Sequence, residues 1–196
     1  MGSDCCPQLV YNAATMCNWT GGAHGMNEGQ PRDGEVLVVQ PGEAPSYWQP
    51  VPANGFVDVL VAPSRVPMET PFGFGTQTVP PGCHVREHRD ERNDEVIHVL
   101  HGHGRAVIDG VYVPLMPGTT LFLGKNRRHM LINDGTADIS WIWLLVPNGL
   151  EDFFAAIGRP RSAGEAVPQP FARPADVLEI ERRAGFAPPP ADPRTR

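Results

Sequence analysis

The stretches PPGCHVREHRDERNDEVIHVLHGHG, at residues 80–104, and MPGTTLFLGKNRRHMLIN, at residues 116–133, decide the fold. Both have the composition of β-strands interrupted by glycine and proline. Both also carry side chains of the types that bind metals. These side chains are His88, Asp90, Glu95 and His129. Two strand segments that bring ligands to one point predict a divalent metal site inside a small β-barrel.

The first segment brings its ligands together through a strand, a turn and a return strand. Residues two apart on a strand share a face. Four residues have this spacing: His84, Arg86, His88 and Asp90. The polar residues 91–94 suit a turn, and an apolar strand follows at residues 96–100. Glu95 is therefore expected beside His88 and Asp90.

The same geometry excludes two nearby histidines as ligands. His84 lies about 13 Å from His88 along a strand, which is too far for a shared ion. His98 has the opposite parity to Glu95 and should face the other side of its strand. In the second segment, a polar break precedes His129, which opens a strand and can meet the ligands of the first segment.

Imidazole with carboxylate is a ligand set that suits Fe(II), Mn, Ni, Zn or Cu(II). The set lacks the thiolates of a structural zinc site. Two histidines with one carboxylate leave open coordination positions for oxygen or a chelating substrate. Fe(II) is the expected ion.

Residues 82–102 resemble the first motif of the cupin family, in which a glycine precedes a His-x-His pair, a glutamate and another glycine. Residues 117–133 resemble the second motif, proline-glycine followed by histidine and asparagine. The resemblance implies an all-β fold, a cupin-type double-stranded β-helix (jelly-roll barrel), here with short C-terminal helices. It also implies a homodimer. The family's metal ligands fall on His88, Glu95 and His129.

Asp90 departs from the family pattern, because it stands where the family has its second histidine. Three alternatives follow. Asp90 is a fourth metal ligand, or it lies beside a triad of His88, Glu95 and His129, or it marks a site that has lost its metal. A free carboxylate beside a metal is also a ready general base, so Asp90 is a candidate catalytic residue.

Strand and turn patterns extend beyond the motifs. Glycine (21) and proline (22) are frequent, and short strands alternate with turns, as in a sandwich or barrel. Further strands are predicted at residues 36–40, Phe56–Val61, 72–79, Gly104–Ile108, Val111–Leu115 and Ile139–Val146. Asp109-Gly110 is a strong signal for a two-residue hairpin.

The predicted organisation has three parts. Residues 1–33 form an irregular N-terminal arm, residues 34–147 the barrel, and residues 148–196 a helical extension with a proline-rich tail. Helices are predicted at residues 149–158 and 174–184.

Composition indicates a globular protein of the cytoplasm. The chain has 196 residues, 41% of them hydrophobic, and no apolar run long enough to span a membrane. No signal peptide is evident. A net charge of −6 argues against nucleic acid as a partner. Reduced thiols are expected at the four cysteines, which are Cys5, Cys6, Cys17 and Cys83.

Three other side chains are candidates for the substrate pocket. Trp141 and Trp143 share one face of a strand and either line an apolar pocket or pack in the core. Arg86 precedes His88 by two residues on the inward-facing parity. It either binds a substrate carboxylate, as a catalytic residue, or forms an ion pair at the end of the barrel.

Three functions are compatible with these residues, and each uses a small molecule. The first is a mononuclear non-haem iron dioxygenase that acts on a phenolic, hydroxyketone or diketone substrate. The second is an oxygen-independent isomerase, lyase or decarboxylase, in which Asp90 or Glu95 moves a proton. The third is a non-catalytic cupin that binds a small ligand. The resemblance places the dioxygenase first, because small cupins with a metal site and an aromatic pocket often act on such compounds.

Overall fold

The computed structural model describes residues 33–187, in which β-strands dominate. Twelve strands and two helices follow one another in this part of the chain: β1 (Ser46–Trp48), β2 (Phe56–Val61), β3 (Gly73–Val79), β4 (His84–Asp90), β5 (Asp94–His101), β6 (Gly104–Ile108), β7 (Val111–Leu115), β8 (Thr120–Leu123), β9 (His129–Ile132), β10 (Ile139–Val146), α1 (Leu150–Ile157), β11 (Arg159–Pro160), α2 (Val177–Ala184) and β12 (Phe186–Ala187).

The strands form two antiparallel sheets. One has seven strands in the order β11-β1-β2-β3-β10-β5-β8, and the other has five in the order β12-β4-β9-β6-β7. From β3 to β10 the chain passes repeatedly between the sheets, so residues close in sequence face one another across the interior. The predicted all-β double-stranded β-helix with short C-terminal helices is confirmed.

Apolar side chains from both sheets fill the interior. The central strands β5 and β10 pair with each other and alternate inward and outward residues, as a half-buried strand does. The most deeply buried apolar residues include Val57, Ile97, Val99, Trp141, Trp143 and Leu145. Burial of such side chains is the main favourable contribution to folding.

Local turn chemistry follows the sequence closely. Asp109 and Gly110 have φ angles of 48° and 85°, and a type I′ hairpin needs positive φ at both positions. Asn133 donates hydrogen bonds from Nδ2 to the carbonyls of Val79 and Ala137, at 2.7 and 2.9 Å. It therefore holds a turn in place.

The strand predicted at residues 36–40 is wrong. This segment is irregular, and Val36 and Val38 are 85% and 68% exposed. Its run of valines has the composition of a strand. However, strand propensity reflects packing against neighbours on a sheet, and this segment joins neither sheet.

Both predicted helices are present in the C-terminal part of the described chain. In α1, Leu150, Phe154 and Ile157 are buried. The second helix begins at Val177, later than the proline at 174 suggested, and Gly185 caps its end in the left-handed conformation. The strand that follows it, β12, pairs with β4, which carries two of the candidate ligands.

Two predicted regions lie almost wholly outside the described residues. They are the N-terminal arm, which contains three of the four cysteines, and the proline-rich tail from residue 188. Cys83, within residues 33–187, is a free thiol. Neither helix of this part of the chain is long and apolar enough to cross a membrane. The cytoplasmic location and the homodimer stay predictions.

Candidate metal site and cavity

Four candidate ligands meet between the two sheets. His88 on β4 and His129 on β9 are direct cross-strand partners in the five-stranded sheet. Their ring centroids lie 4.2 Å apart. Asp90 ends β4, and Glu95 near the start of β5 belongs to the opposite sheet. The tight turn between β4 and β5 therefore places the two carboxylates close to the histidines.

The distances define a compact cluster. Ligand atoms of His88, Asp90 and His129 all lie within 4.8 Å of one another. Nε2 of His129 lies 3.9 Å from Oδ2 of Asp90 and 3.2 Å from Oε2 of Glu95. The structure thus brings all four predicted ligands together, with Glu95 joined to the cluster through His129.

Backbone carbonyls orient both imidazole rings. Nδ1 of His88 lies 3.0 Å from the carbonyl oxygen of Arg86, and Nδ1 of His129 lies 3.0 Å from that of Arg127. A carbonyl only accepts, so each Nδ1 must carry the proton and donate it. In the neutral ring, Nε2 is then left with its lone pair, as metal-binding histidines require.

The donor atoms of the cluster fit a cation. Among the described residues, the buried Oδ1 of Asp90 has no hydrogen-bond partner, and the buried Oε2 of Glu95 and Nε2 of His129 face only each other, at 3.2 Å. Burying such groups unpaired is costly, and each needs an explanation. A divalent ion held by His88, Asp90 and His129, with Glu95 against His129, would offset this cost, and imidazole with carboxylate is a suitable donor set.

Without a metal, the cluster holds protons in place of the cation. Burial, aided by the charge of Glu95, raises the pKa of Asp90 to about 7. Burial alone would lower the pKa of His129, but Glu95 and Asp90 outweigh it and raise that pKa to about 9. Burial and the positive charge of His129 hold the pKa of His88 well below its usual value.

We expect the metal-free protein to lose thermal stability as the pH rises from 6.5 to 9. The raised pKa of His129 gives stability that is complete below 6.5, its ordinary value, and is lost as the pH rises through about 9. Asp90 acts in the same direction up to about pH 7. The melting temperature of chelator-treated protein measures the effect. His129→Gln should flatten the profile, and a profile that rises over this interval in the wild type would contradict the assignment.

A cavity lies beside the cluster and is lined mainly by apolar and aromatic side chains. Among these are Val85, Leu131, Trp141, Phe153, Phe154 and Phe186. Trp141 lines this cavity. Trp143 does not: it is fully buried behind the wall, packed edge-on against Phe154 and close to Gly75. A glycine on the neighbouring strand leaves room for that ring in the core.

Arg86 lines the same cavity, but strand β4 is less regular than predicted. A β-bulge between Val85 and His88 breaks the simple alternation, because the register of β4 against β9 shifts there. Val85 consequently packs against the core opposite Leu131. The prediction of one shared face from His84 to Asp90 is therefore wrong at the bulge.

Two charged residues of the cavity region were not predicted. Glu181 on α2 is fully buried and forms ion pairs with both Arg86 and Arg173. Both arginines line the cavity. The ion pair predicted as one alternative for Arg86 is therefore present. The sequence around Glu181 reads as an ordinary charged helix, and its partner Arg86 is 95 residues away, so no local signal marks it.

The family comparison agrees with the fold. The profile of the family described as "Cupin domain" matches residues 75–145, which include β4, β5, β9 and all four predicted ligands. The matched residues, which are less than half of the chain, are thus similar to the cupin domain, and they lie within the double-stranded β-helix.

Individual relatives are distant. An oxalate-binding protein of Thermotoga maritima is 27% identical over 73 residues, which are 37% of this chain and 60% of that relative. The chain therefore matches less than two thirds of that protein's length.

Solved structures of similar shape have low sequence identity. A predicted oxalate decarboxylase of Thermotoga maritima has a TM-score of 0.46 at 23% identity, covering 57% of this chain and 99% of that one. KdgF of a Halomonas species has a TM-score of 0.44 at 19% identity, covering 51% and 84%. Likeness at this level assigns no activity to the present chain.

Proposed function

We propose that this protein is a metal-dependent cupin enzyme, a mononuclear non-haem iron dioxygenase that acts on a small phenolic, hydroxyketone or diketone substrate. One observation carries the proposal. Imidazole and carboxylate side chains cluster beside an apolar cavity that His88 and Glu95 line, and the cluster contains a buried oxygen of Asp90 that no described residue hydrogen-bonds. Such a set leaves coordination positions open, as oxygenases require.

The proposed ligands are His88, Glu95 and His129, with Asp90 as a fourth or adjacent carboxylate. The backbone carbonyls that accept hydrogen bonds from Nδ1 keep both rings directed at the cluster. A divalent ion held there would supply Lewis acidity and, in the case of Fe(II), redox chemistry with oxygen.

The chain's own residues would bind and orient the substrate. The aromatic wall, which includes Trp141 and Phe153, would stack a planar molecule and exclude water from the cluster. Asp90 clusters with His88, which lines the cavity, and has a buried oxygen that no described residue hydrogen-bonds, so it could accept a proton from a substrate hydroxyl.

An oxygen-independent decarboxylase, lyase or isomerase is the second candidate. Asp90, which replaces the family's second histidine, favours it, because it adds a carboxylate that can transfer protons. The curated relative's name, an oxalate-binding protein, is also in keeping with an acid as substrate.

Elemental analysis of protein purified without chelator, paired with oxygen uptake, tests the proposal. We expect about one iron per chain and uptake that depends on a substrate among catechols, hydroxyacetophenones and diketones. His129→Ala protein serves as the control and should show neither. Stoichiometric zinc, nickel or manganese without oxygen uptake would replace the dioxygenase with the second candidate.

A further inference from the structure

A charged cluster outside the metal ligands faces the same cavity. Nη2 of Arg86 and Nη2 of Arg173 both donate to Oε1 of Glu181. The glutamate is fully buried, whereas the arginine side chains are 26% and 19% exposed. Both arginines also line the cavity. Two cations therefore share one anion at the cavity wall.

The excess positive charge lies next to the metal ligands. Arg86 is two residues before His88 on β4, and Arg173 reaches the cavity from the segment before α2. Arg86, Arg173 and His88 all line the same cavity. The positive charges of both guanidinium groups would therefore act on a small molecule bound at the cluster.

Unused donors accompany this charge. A guanidinium group carries five N–H donors. Within residues 33–187, Arg86 donates to Glu181 and to the carbonyl of Glu87, and Arg173 donates to Glu181 alone. A carboxylate in the cavity could accept the remaining donors and balance the excess charge. Arginine pairs with carboxylates in this way in many binding sites.

We propose that Arg86 and Arg173 form a subsite for a carboxylate group of the substrate, with Glu181 as the residue that positions them. This inference rests on the proposed function and narrows it. The substrate is then a member of the proposed classes that also carries a carboxylate, which meets the two arginines while the apolar or aromatic body lies against Trp141 and Phe153.

A purely structural clamp between α2 and β4 is the competing explanation. One arginine would be enough to neutralise Glu181 in such a clamp. The second arginine adds a net positive charge, which a buried ion pair does not require. The second arginine and its place in the cavity wall are what point to a ligand.

Phenylacetate and its neutral amide, 2-phenylacetamide, test the subsite by ligand-observed NMR titration of chelator-treated protein. We expect the wild type to bind the carboxylate at least about tenfold more tightly than the amide. Arg173→Gln should remove most of this preference. Arg182→Gln should retain it, because Arg182 is an exposed arginine of α2 that pairs with Glu179.

Equal binding of the two probes by the wild type would overturn the proposal, and that comparison needs no variant. A retained preference in Arg173→Gln would overturn it as well. Should Arg173→Gln fold poorly, Arg173→Lys keeps the charge beside Glu181 and should still lower the preference at least about threefold. The titration is free of metal, so the two failures are distinguishable: equal binding of the probes rejects the subsite alone, whereas absence of iron rejects the dioxygenase without changing the carboxylate preference that the titration measures.

Discussion

His129→Ala is expected to abolish metal retention. Nε2 of His129 lies close to the oxygens of both Asp90 and Glu95, so it is the atom that joins the two carboxylates. Its loss removes one ligand and also the contact that holds the two carboxylates in position. The metal content should fall from about one ion per chain to below about a tenth, since even the loss of a residue that only supports a ligand costs about 10–100-fold in affinity. Elemental analysis after dialysis measures the loss.

Glu95→Ala should have the same effect, because it removes the carboxylate supplied by the opposite sheet. His98→Ala is the matched control. His98 lies on the same strand as Glu95, but its ring is hydrogen-bonded to the hydroxyl of Thr120, away from the cluster. Its loss should therefore leave the metal content unchanged. Full metal in either the His129 or the Glu95 variant would show that the ligand assignment is wrong.

Substitutions of Asp90 distinguish the alternatives for this position, at which the sequence departs from the family pattern. A histidine there restores the family pattern, and we expect it to keep the metal. Asp90→Asn keeps the size but removes the charge. If Asp90 is a direct ligand, the Asp90→Asn variant should bind metal more weakly than the wild type. If Asp90 lies beside the triad, the metal content of the two proteins should be the same.

The clustering of the candidate ligands could be predicted from the sequence because their geometry is mostly local. His88, Asp90 and Glu95 lie within one strand and one turn, and strand parity with turn composition is enough to bring them together. His129 required a long-range pairing, which the order and spacing of the two motifs supplied. The hairpin at Asp109-Gly110 is local in the same way, since its φ angles are a property of two residues.

What the sequence did not reveal depends on tertiary context. The bulge in β4 arises where the strand pairs with β9, and no residue type in the sequence indicates it. Glu181 is one of several acidic and basic residues in α2, and its burial follows only from how the helix packs on the barrel. Trp141 and Trp143 share a face in sequence, yet only the cavity's extent decides that one lines it and the other lies in the core.

Gly75→Ala is expected to destabilise the fold by about 3 kcal/mol or more, at the upper end for overpacking a core. A Cβ at this position would lie 2.0 Å from the backbone oxygen of Asp58 and 2.5 Å from the ring of Trp143. The first atom belongs to the neighbouring strand β2, and the second is in a fully buried side chain. Neither can move without displacing a strand. Denaturant unfolding measures the change.

Gly124→Ala is the matched control, since its nearest neighbours would be 3.8 Å from the added carbon, which is ordinary contact. Its stability should stay within about 0.5 kcal/mol of the wild type. The Gly75 substitution should also weaken metal binding. Trp143 pairs with Gly75 on one side and with Ile97 on the other, and Ile97 is two residues from Glu95 on β5. A displaced Trp143 ring would therefore shift the strand that holds a ligand. An unchanged unfolding free energy would contradict this close packing. It would mean that the Asp58 backbone and the Trp143 ring can move away from residue 75 at no cost in stability.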